Sequence, residues 1–494
     1  MKKQLKYSAM AAVLYITLFP MSYADAEEKT AVDKAYLENL ERRVAALENK
    51  QAASSGQDAS GYLSQDVLDL METMEVVEKK TLMDRLAWGA EFRNRVNWFN
   101  YQDKAAGDDL HTDELYQVRL RLNFFADLTD NLKFSGRLTG YWNWGDSMGQ
   151  ADSMGWGPYN KAAVPSDTSV RIERAYIDYF LESIPFCLTV GRQPSAGGPP
   201  GELRENRVRK STWPMLFIDQ EQDVAVGTIN TSTFLPLEQS SLRIYYFKYH
   251  ALDSASLDYK HSGIQSSVNA YGFQLETLVP QMGDTLLAGG LGIIKDYTLS
   301  RDPSSFDISS SLGAPRGTYL PTVYPRNVGD VMNYHVLIFS QNLHNSGLDL
   351  FTEWVRHDYR PNGRTVQYAV PGIALGLMSD DGVTKRSGQA VHAGFRYTVQ
   401  FKPMNDPKFG FEYVHGDRYW KAFSDGHDDP LDLMGVRGNT YDVYYIQPLN
   451  QYLFCRFGAT FINHDFSSGN SIYGEPKPVD EKVRNFYGLL EMRF

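Results

Sequence analysis

Two periodicities divide the chain. Leu37, Leu40, Val44 and Leu47 recur at spacings of three and four among Glu38, Glu41, Arg42, Arg43 and Glu48, which is the apolar seam of an amphipathic helix and the beginning of a coiled coil. A second helical stretch, "VLDLMETMEVVEKKTLMDRL", covers residues 67–86. From Trp88 onward the apolar positions recur every second residue instead. In "ELYQVRLRLNFFADL", Val118, Leu120, Leu122, Phe124 and Ala126 alternate with Arg119, Arg121, Asn123 and Asp127. In "VHAGFRYTVQF", Val391, Ala393, Phe395, Tyr397 and Val399 alternate with His392, Arg396, Thr398 and Gln400. A period of two sends successive side chains to opposite faces of a strand, so one face meets an apolar medium and the other meets water.

Turn signals cut this region into about sixteen strands, from 86–101 and 112–128 at one end to 450–465 and 482–494 at the other. Their joints alternate in length. Tight ones such as "TDN", "ESIP", "PQMG", "HNSG", "PMND" and "PLN" suit hairpin turns. Between them come connections of about 10 to 37 residues, longer than compact soluble domains ordinarily use. A soluble β-sandwich also alternates, but it predicts neither this short and long rhythm nor an even strand count. Aromatic strand ends ("WNWG", "RVNWFNY", "DRYW") suit interfacial girdles. The expected fold is all-β: a transmembrane antiparallel β-barrel of about 16 strands with a short N-terminal α-helical coiled-coil arm.

The N-terminus reads as a secretory signal, with Lys2, Lys3 and Lys6 before the apolar run Ala9 to Phe19 and small residues in "SYADA". The expected division is 1–26 signal peptide, 27–60 coiled-coil arm and linker, 61–86 helical connector and 87–494 barrel. Cleavage after Ala26 would remove a net +2 and leave the chain at −13 instead of −11, which makes nucleic acid an unsuitable partner. No later window holds the roughly 18 apolar residues of a spanning helix, so only a barrel places this chain in a bilayer.

Cys187 and Cys455 stand far apart without CxxC or CxxCH spacing, which gives no zinc site and no attached haem; two buried thiols are the expectation. HExxH and Walker motifs do not occur, the single GxSxG match at residues 145–149 ("GDSMG") lies in a long connection and not at a strand-to-helix turn, and ten histidines are scattered without a recognisable triad. No catalytic residue, metal ligand or cofactor is therefore expected. The acidic stretch "SDGHDDPLD", with Asp425, Asp428, Asp429 and Asp432, lacks the fixed Gly and closing Glu of a calcium loop. It reads as a solvated acidic tip, with weak calcium binding or lipopolysaccharide contact through divalent ions as the alternative.

If the apolar set faces lipid, the polar set faces the lumen. Arg93, Arg95, Arg119, Arg121, Arg137, Arg243, Arg396 and Arg456 all fall in the polar set, and Arg493 joins them near one mouth. As pore-lining groups in a narrow aqueous channel they would lower the barrier to anions. Alternatively they pair with Glu91, Asp127 or loop carboxylates and simply fill a polar wall. The connection 194–221, "PSAGGPPGELRENRVRKSTWPMLFIDQE", starts with a Gly/Pro bend and continues into a short helix with Glu202 early and Lys210 late.

Residues 88–494 resemble bacterial outer-membrane porins. "RAYIDYFLESIPFCLTVGRQ" resembles the porin hairpin ending in Gly-Arg-Gln, and "GLLEMRF" resembles the terminal strand read by the barrel-assembly machinery. A leader, a short coiled coil and then a barrel is similar to trimeric sugar- and phosphate-selective porins and to an uncharacterised porin-like family. The resemblance implies that the loop after the fifth strand folds inward, so that Glu202, Arg204, Glu205, Arg207, Arg209 and Lys210 form a constriction; the alternative is a solvated outer loop. It also implies that Phe494 is part of the assembly signal. The expected protein is a homotrimer in the outer membrane of a Gram-negative-type bacterium, in contact with lipid and lipopolysaccharide. It would pass small hydrophilic solutes by diffusion with a mild anion bias. The alternatives are a barrel sleeve around a periplasmic or electron-conduit partner, whose haems would belong to another chain, and an outer-membrane barrel enzyme.

Overall fold

The computed structural model describes residues 86–494 apart from 105–106, 145–168, 182, 236, 251–267, 280–284, 300–325, 368–373, 425–428, 468–471 and 473. The signal, the coiled-coil arm and the connector up to residue 85 lie outside the described residues. Alternating sequence becomes strand throughout the rest. In chain order these are β1 (Leu86–Asp103), β2 (Asp108–Thr129), β3 (Leu132–Asn143), β4 (Ser169–Leu181), β5 (Phe186–Gln193) and β6 (Gln222–Asn230). They continue as β7 (Glu238–His250), β8 (Val268–Val279), β9 (Thr285–Leu299), β10 (Arg326–Ser340) and β11 (Leu348–Pro361). The ring is completed by β14 (Arg386–Thr398), β15 (Lys408–Gly416), β16 (Gly438–Pro448), β17 (Leu453–Phe466) and β18 (Pro478–Arg493). Two short strands, β12 (Val366–Gln367) and β13 (Ala374–Leu375), form a separate ribbon in the connection between β11 and β14.

The sixteen ring strands pair antiparallel with their sequence neighbours, and β1 pairs with β18 to close the barrel. At the seam Arg93 stands opposite Glu491, and Ala90 and Phe494 exchange backbone hydrogen bonds of 2.9 and 3.0 Å. Closure leaves no unpaired edge, the condition for strands to survive in hydrocarbon. One expected long connection proves short. β1 and β2 extend until only residues 104–107 join them, because cross-strand pairs such as Gln102 with Asp109 continue the ladder.

Outward positions carry Leu122, Val190, Ile244, Phe273, Ile338, Val443 and Phe457, all well exposed. Such a continuous apolar exterior is the surface of a protein solvated by lipid. Inward positions follow the opposite rule most fully near the rim of tight turns, where they are Glu91, Arg93, Arg119, Arg121, Arg137, Glu412 and Glu491, while at the other rim His357, His464 and Glu481 are buried polar groups among apolar neighbours. Toward the rim of long connections the inward positions turn apolar: Phe99 and Tyr101 on β1, Tyr245 and Phe247 on β7, Val355 and Tyr359 on β11. They are covered by Trp213, Leu216 and Phe217 from residues 194–221 and by Trp420, Phe423, Leu431 and Met434 from residues 417–437. The barrel thus holds a hydrophobic core inside its own lumen. That core has the ordinary driving force of apolar surface removed from water, about 25 cal/mol per Å².

Candidate functional site in the barrel lumen

The centre of the molecule is built by the segment between β5 and β6. After Gln193 the chain turns inward through Gly197, whose φ of +61° favours glycine, and Gly198, where a Cβ would lie 1.8 Å from the Trp213 carbonyl oxygen. One helical turn follows, α1 (Gly201–Arg204). Around the ring of sixteen, β15 stands eight strands from β5 in either direction, and Arg204 reaches it: its Nη1 lies 3.4 Å from Glu412 on β15. The segment therefore crosses the full width of the lumen.

Guanidinium groups from the far wall hold the end of α1 by its backbone. Arg396 on β14 donates to the Leu203 carbonyl at 3.1 Å. Arg456 on β17 donates to the Arg204 carbonyl at 2.6 Å. Arg493 on β18 donates to the Glu205 and Asn206 carbonyls at 2.6 and 3.2 Å. The last carbonyls of a helix lack intrahelical partners, and charged donors satisfy them strongly. At the other end of the segment Glu353 on β11 accepts from the backbone N–H of Leu216 and of Phe217, each at 3.0 Å. Arg207 pairs with Glu91 at 2.8 Å and Arg209 with Glu276 at 2.8 Å.

Each arginine singled out from the sequence points inward, and each meets a carboxylate. Arg93 lies 2.8 Å from Glu491. Arg119 bridges Glu491 at 3.0 Å and Glu91 at 3.3 Å. Arg121 forms a two-pronged pair with Glu173 at 2.7 and 2.8 Å, while Arg137 contacts Glu173 at 3.1 Å and Glu91 at 3.3 Å. Arg243 pairs with Glu276 and Arg396 with Asp349, both at 2.8 Å. Arg95 contacts Asp429, which also faces Arg204 at 3.4 Å and Arg456 at 3.8 Å. In the constriction segment Lys210 and Arg207 flank Glu205 at 2.8 and 3.3 Å.

Glu202 differs from all of these. It is fully buried, and neither carboxylate oxygen has a hydrogen-bond partner. Burial pushes its carboxyl up to about 7, against the pull of Arg209 and Lys210. The acidic stretch also departs from expectation. Asp425 and Asp428 lie outside the described residues, but Asp429 and Asp432 are neither solvated nor adjacent in function. Asp429 enters the lumen, and Asp432 accepts from the Met434 and Gly435 N–H groups at 3.1 and 3.2 Å. Among the described residues no group of three His, Cys, Asp or Glu is placed to hold a metal ion. Cys187 and Cys455 are free, half-buried thiols.

The residues that sequence reading missed are carboxylates: Glu173, Glu353, Glu412 and Asp442, whereas Asp429 is in view but expected at a solvated tip. Glu353 and Glu412 occupy the inward set of β11 and β15, so alternation alone marked their direction. His392 on β14, between these two strands, lies 3.8 Å from Glu353 and 3.3 Å from Glu412, while their other partners come from a segment more than 130 positions away, which no local pattern encodes. Phe494 is exposed and completes the β1 seam.

No curated protein sequence matches the chain. Among solved structures it is similar to OprB of Pseudomonas putida at high pH, with 13% identity, 84% of this chain and 96% of that chain covered, and a TM-score of 0.48. It is similar to an anion-selective porin from Comamonas acidovorans, with 10% identity, 83% and 100% covered, and a TM-score of 0.46. It is similar as well to the outer membrane channel DcaP of Acinetobacter baumannii, with 11% identity, 83% and 97% covered, and a TM-score of 0.42. A family model described as "Protein of unknown function (DUF3373)" matches residues 109–490, most of the barrel from β2 to β18, and the chain belongs to that family.

Proposed function

We propose that this protein is an outer-membrane porin that lets small hydrophilic solutes diffuse through its lumen, with a mild preference for anions. One observation carries the reading: a closed sixteen-stranded ring with an apolar exterior encloses a charged interior crossed by the segment 194–221. In this reading Arg93, Arg95, Arg119, Arg121, Arg137, Arg243, Arg396 and Arg456 line the path. Glu202, Arg204, Glu205, Arg207, Arg209 and Lys210 narrow it. Pore field and width together set which solutes pass. Because the arginines are matched by carboxylates, the field left over is small, which supports a mild preference and not a strict one. The same matching and the apolar packing of the two inward segments make the path narrow, so conduction is expected to be low.

A sleeve around a folded partner fits less well, since the lumen it would need is occupied by residues of this chain. The signal peptide, the homotrimer built on the coiled-coil arm and the assembly role of Phe494 belong to the same proposal. The test is electrical. Reconstituted in a planar bilayer under a potassium chloride gradient, the barrel should give steady conductance without added substrate and a reversal potential weakly on the chloride side. Cation selectivity removes the anion preference, and complete absence of conductance removes the porin reading.

A further inference from the structure

Asp429 occupies a position that invites replacement. Its two carboxylate oxygens are divided among three guanidinium groups from three separate elements. Oδ1 meets Arg95 of β1 and lies 3.8 Å from Arg456 of β17, while Oδ2 lies 3.4 Å from Arg204 of α1. Arg95 and Arg456 are 5% and 2% exposed, and Asp429 is the carboxylate that each of them pairs with. Both sit over the ring of Tyr487, at 4.4 and 5.3 Å from its centroid, which fixes their planes by cation–π attraction. Arg456 is further held by its bond to the Arg204 carbonyl, and Arg95 by Asn97 at 2.8 Å. The Nε atoms of Arg204 and Arg456 are buried without a hydrogen-bond acceptor. Beside them Thr460 and Tyr487 donate to Asp442 at 2.6 and 3.1 Å. With Asp429 in place, the gap between these walls has room for about one water molecule.

Two of the cations, Arg95 and Arg456, are therefore positioned by barrel strands and the third, Arg204, by the inward segment after β5, while the anion is delivered by another connection. Withdrawing Asp429 would leave Arg95 without its paired carboxylate and Arg456 with only the more distant Asp442 as counter-charge, which favours the entry of another anion. A planar carboxylate is the group whose two oxygens match forked donors. We propose that Arg95, Arg204 and Arg456 form a receptor inside the lumen for a small carboxylate solute, and that Asp429 is a tethered competitor occupying that receptor. The inference deepens the porin reading, on which it rests for the solute's route into the lumen, by naming the class of solute.

A tethered group competes at an effective concentration in the millimolar range or above. Removing it should tighten binding of a free carboxylate by about tenfold or more. Acetate, which is the aspartate side chain without its backbone, is the probe. Acetate binding to the full barrel in detergent is measured by calorimetry, with heat-modifiable gel mobility reporting folding. Asp429→Asn is expected to bind acetate at least about tenfold tighter than the unmodified protein. Adding Arg95→Gln or Arg456→Gln to it should abolish that gain. Lys402→Gln, a charge loss at a side chain 87% exposed, should change nothing. Equal acetate binding by Asp429→Asn and the unmodified protein overturns the proposal, as does a gain that survives Arg456→Gln. Phosphate binding without acetate binding overturns the carboxylate assignment. Should Asp429→Asn and Asp429→Ala both fail to fold, the unmodified barrel decides: acetate binding must be present and must be lost in Arg456→Gln, and any other result overturns the proposal. Binding in detergent needs no conduction. A barrel that binds acetate and passes no current defeats only the porin reading, whereas a conducting barrel whose Asp429→Asn variant ignores acetate defeats only this one.

Discussion

Glu202 gives the clearest pH-dependent consequence of the inward segment. In the folded barrel its carboxyl is shut away from solvent without a hydrogen-bond partner, so burial raises it from 4.5 to about 7. The sign follows from linkage: a folded-state value above the unfolded one gives stability that is complete below the unfolded value and declines as pH climbs past it. The decline begins near 4.5 and is complete just above 7. At about 1.4 kcal/mol for each tenfold change in proton affinity, the whole step amounts to about 3 kcal/mol. Glu202→Gln keeps the shape and removes the charge. Urea denaturation of the detergent-solubilised barrel, read by heat-modifiable gel mobility, should find the variant and the unmodified protein similar at pH 4.5. At pH 8 the variant should be ahead by up to about 3 kcal/mol. Denaturation profiles that stay parallel across this range would refute a carboxyl buried without partners, and a less stable variant at pH 8 would reverse the argument.

Other substitutions test the pairing that fills the lumen. Arg121→Gln leaves Glu173 short of its two-pronged partner in a buried site and should cost about 3–5 kcal/mol in the same urea assay. Adding Glu173→Gln to Arg121→Gln removes the uncompensated carboxylate while keeping an acceptor for Arg137 and Thr139; it should recover part of that loss, and no recovery would mean that the unpaired carboxylate is not the source of the cost. Glu353→Gln keeps one acceptor oxygen where two backbone N–H groups now bond. It should loosen residues 213–218 by about 1–3 kcal/mol and increase protease cleavage within 194–221; unchanged cleavage would show that the anchor lies elsewhere.

Alternation and turn signals carried most of the architecture. The period of two in segments such as 118–126 and 391–399, together with the tight joints between strands, located all sixteen ring strands to within a few residues. The reason is local: side-chain direction in a strand changes at every residue, so a lipid-facing exterior must write itself into consecutive positions. The inward direction of the arginines was legible for the same cause. Their partners were not. Arg119 finds Glu491 and Arg456 finds the Arg204 carbonyl only when the ring is closed and the segment after β5 has crossed it. Apolar residues such as Phe99, Tyr245 and Val355 fall in the inward set, where the rule for a water-filled lumen expects polar groups. They make sense only beside Trp213, Phe217, Trp420 and Phe423, which arrive from two connections.

Asp429 marks the boundary between the two kinds of information. By sequence it belongs to an acidic, solvent-seeking stretch, because charge and turn residues are all that a local window contains. In the folded barrel it stands among three arginines drawn from the first strand, from the helical turn inside the lumen and from the strand before the last. Sequence alone determined that a barrel forms and which face of each strand looks inward. Tertiary structure alone decided what fills that interior, because charge neutralisation and apolar burial depend on which distant groups closure brings within a few ångströms of each other.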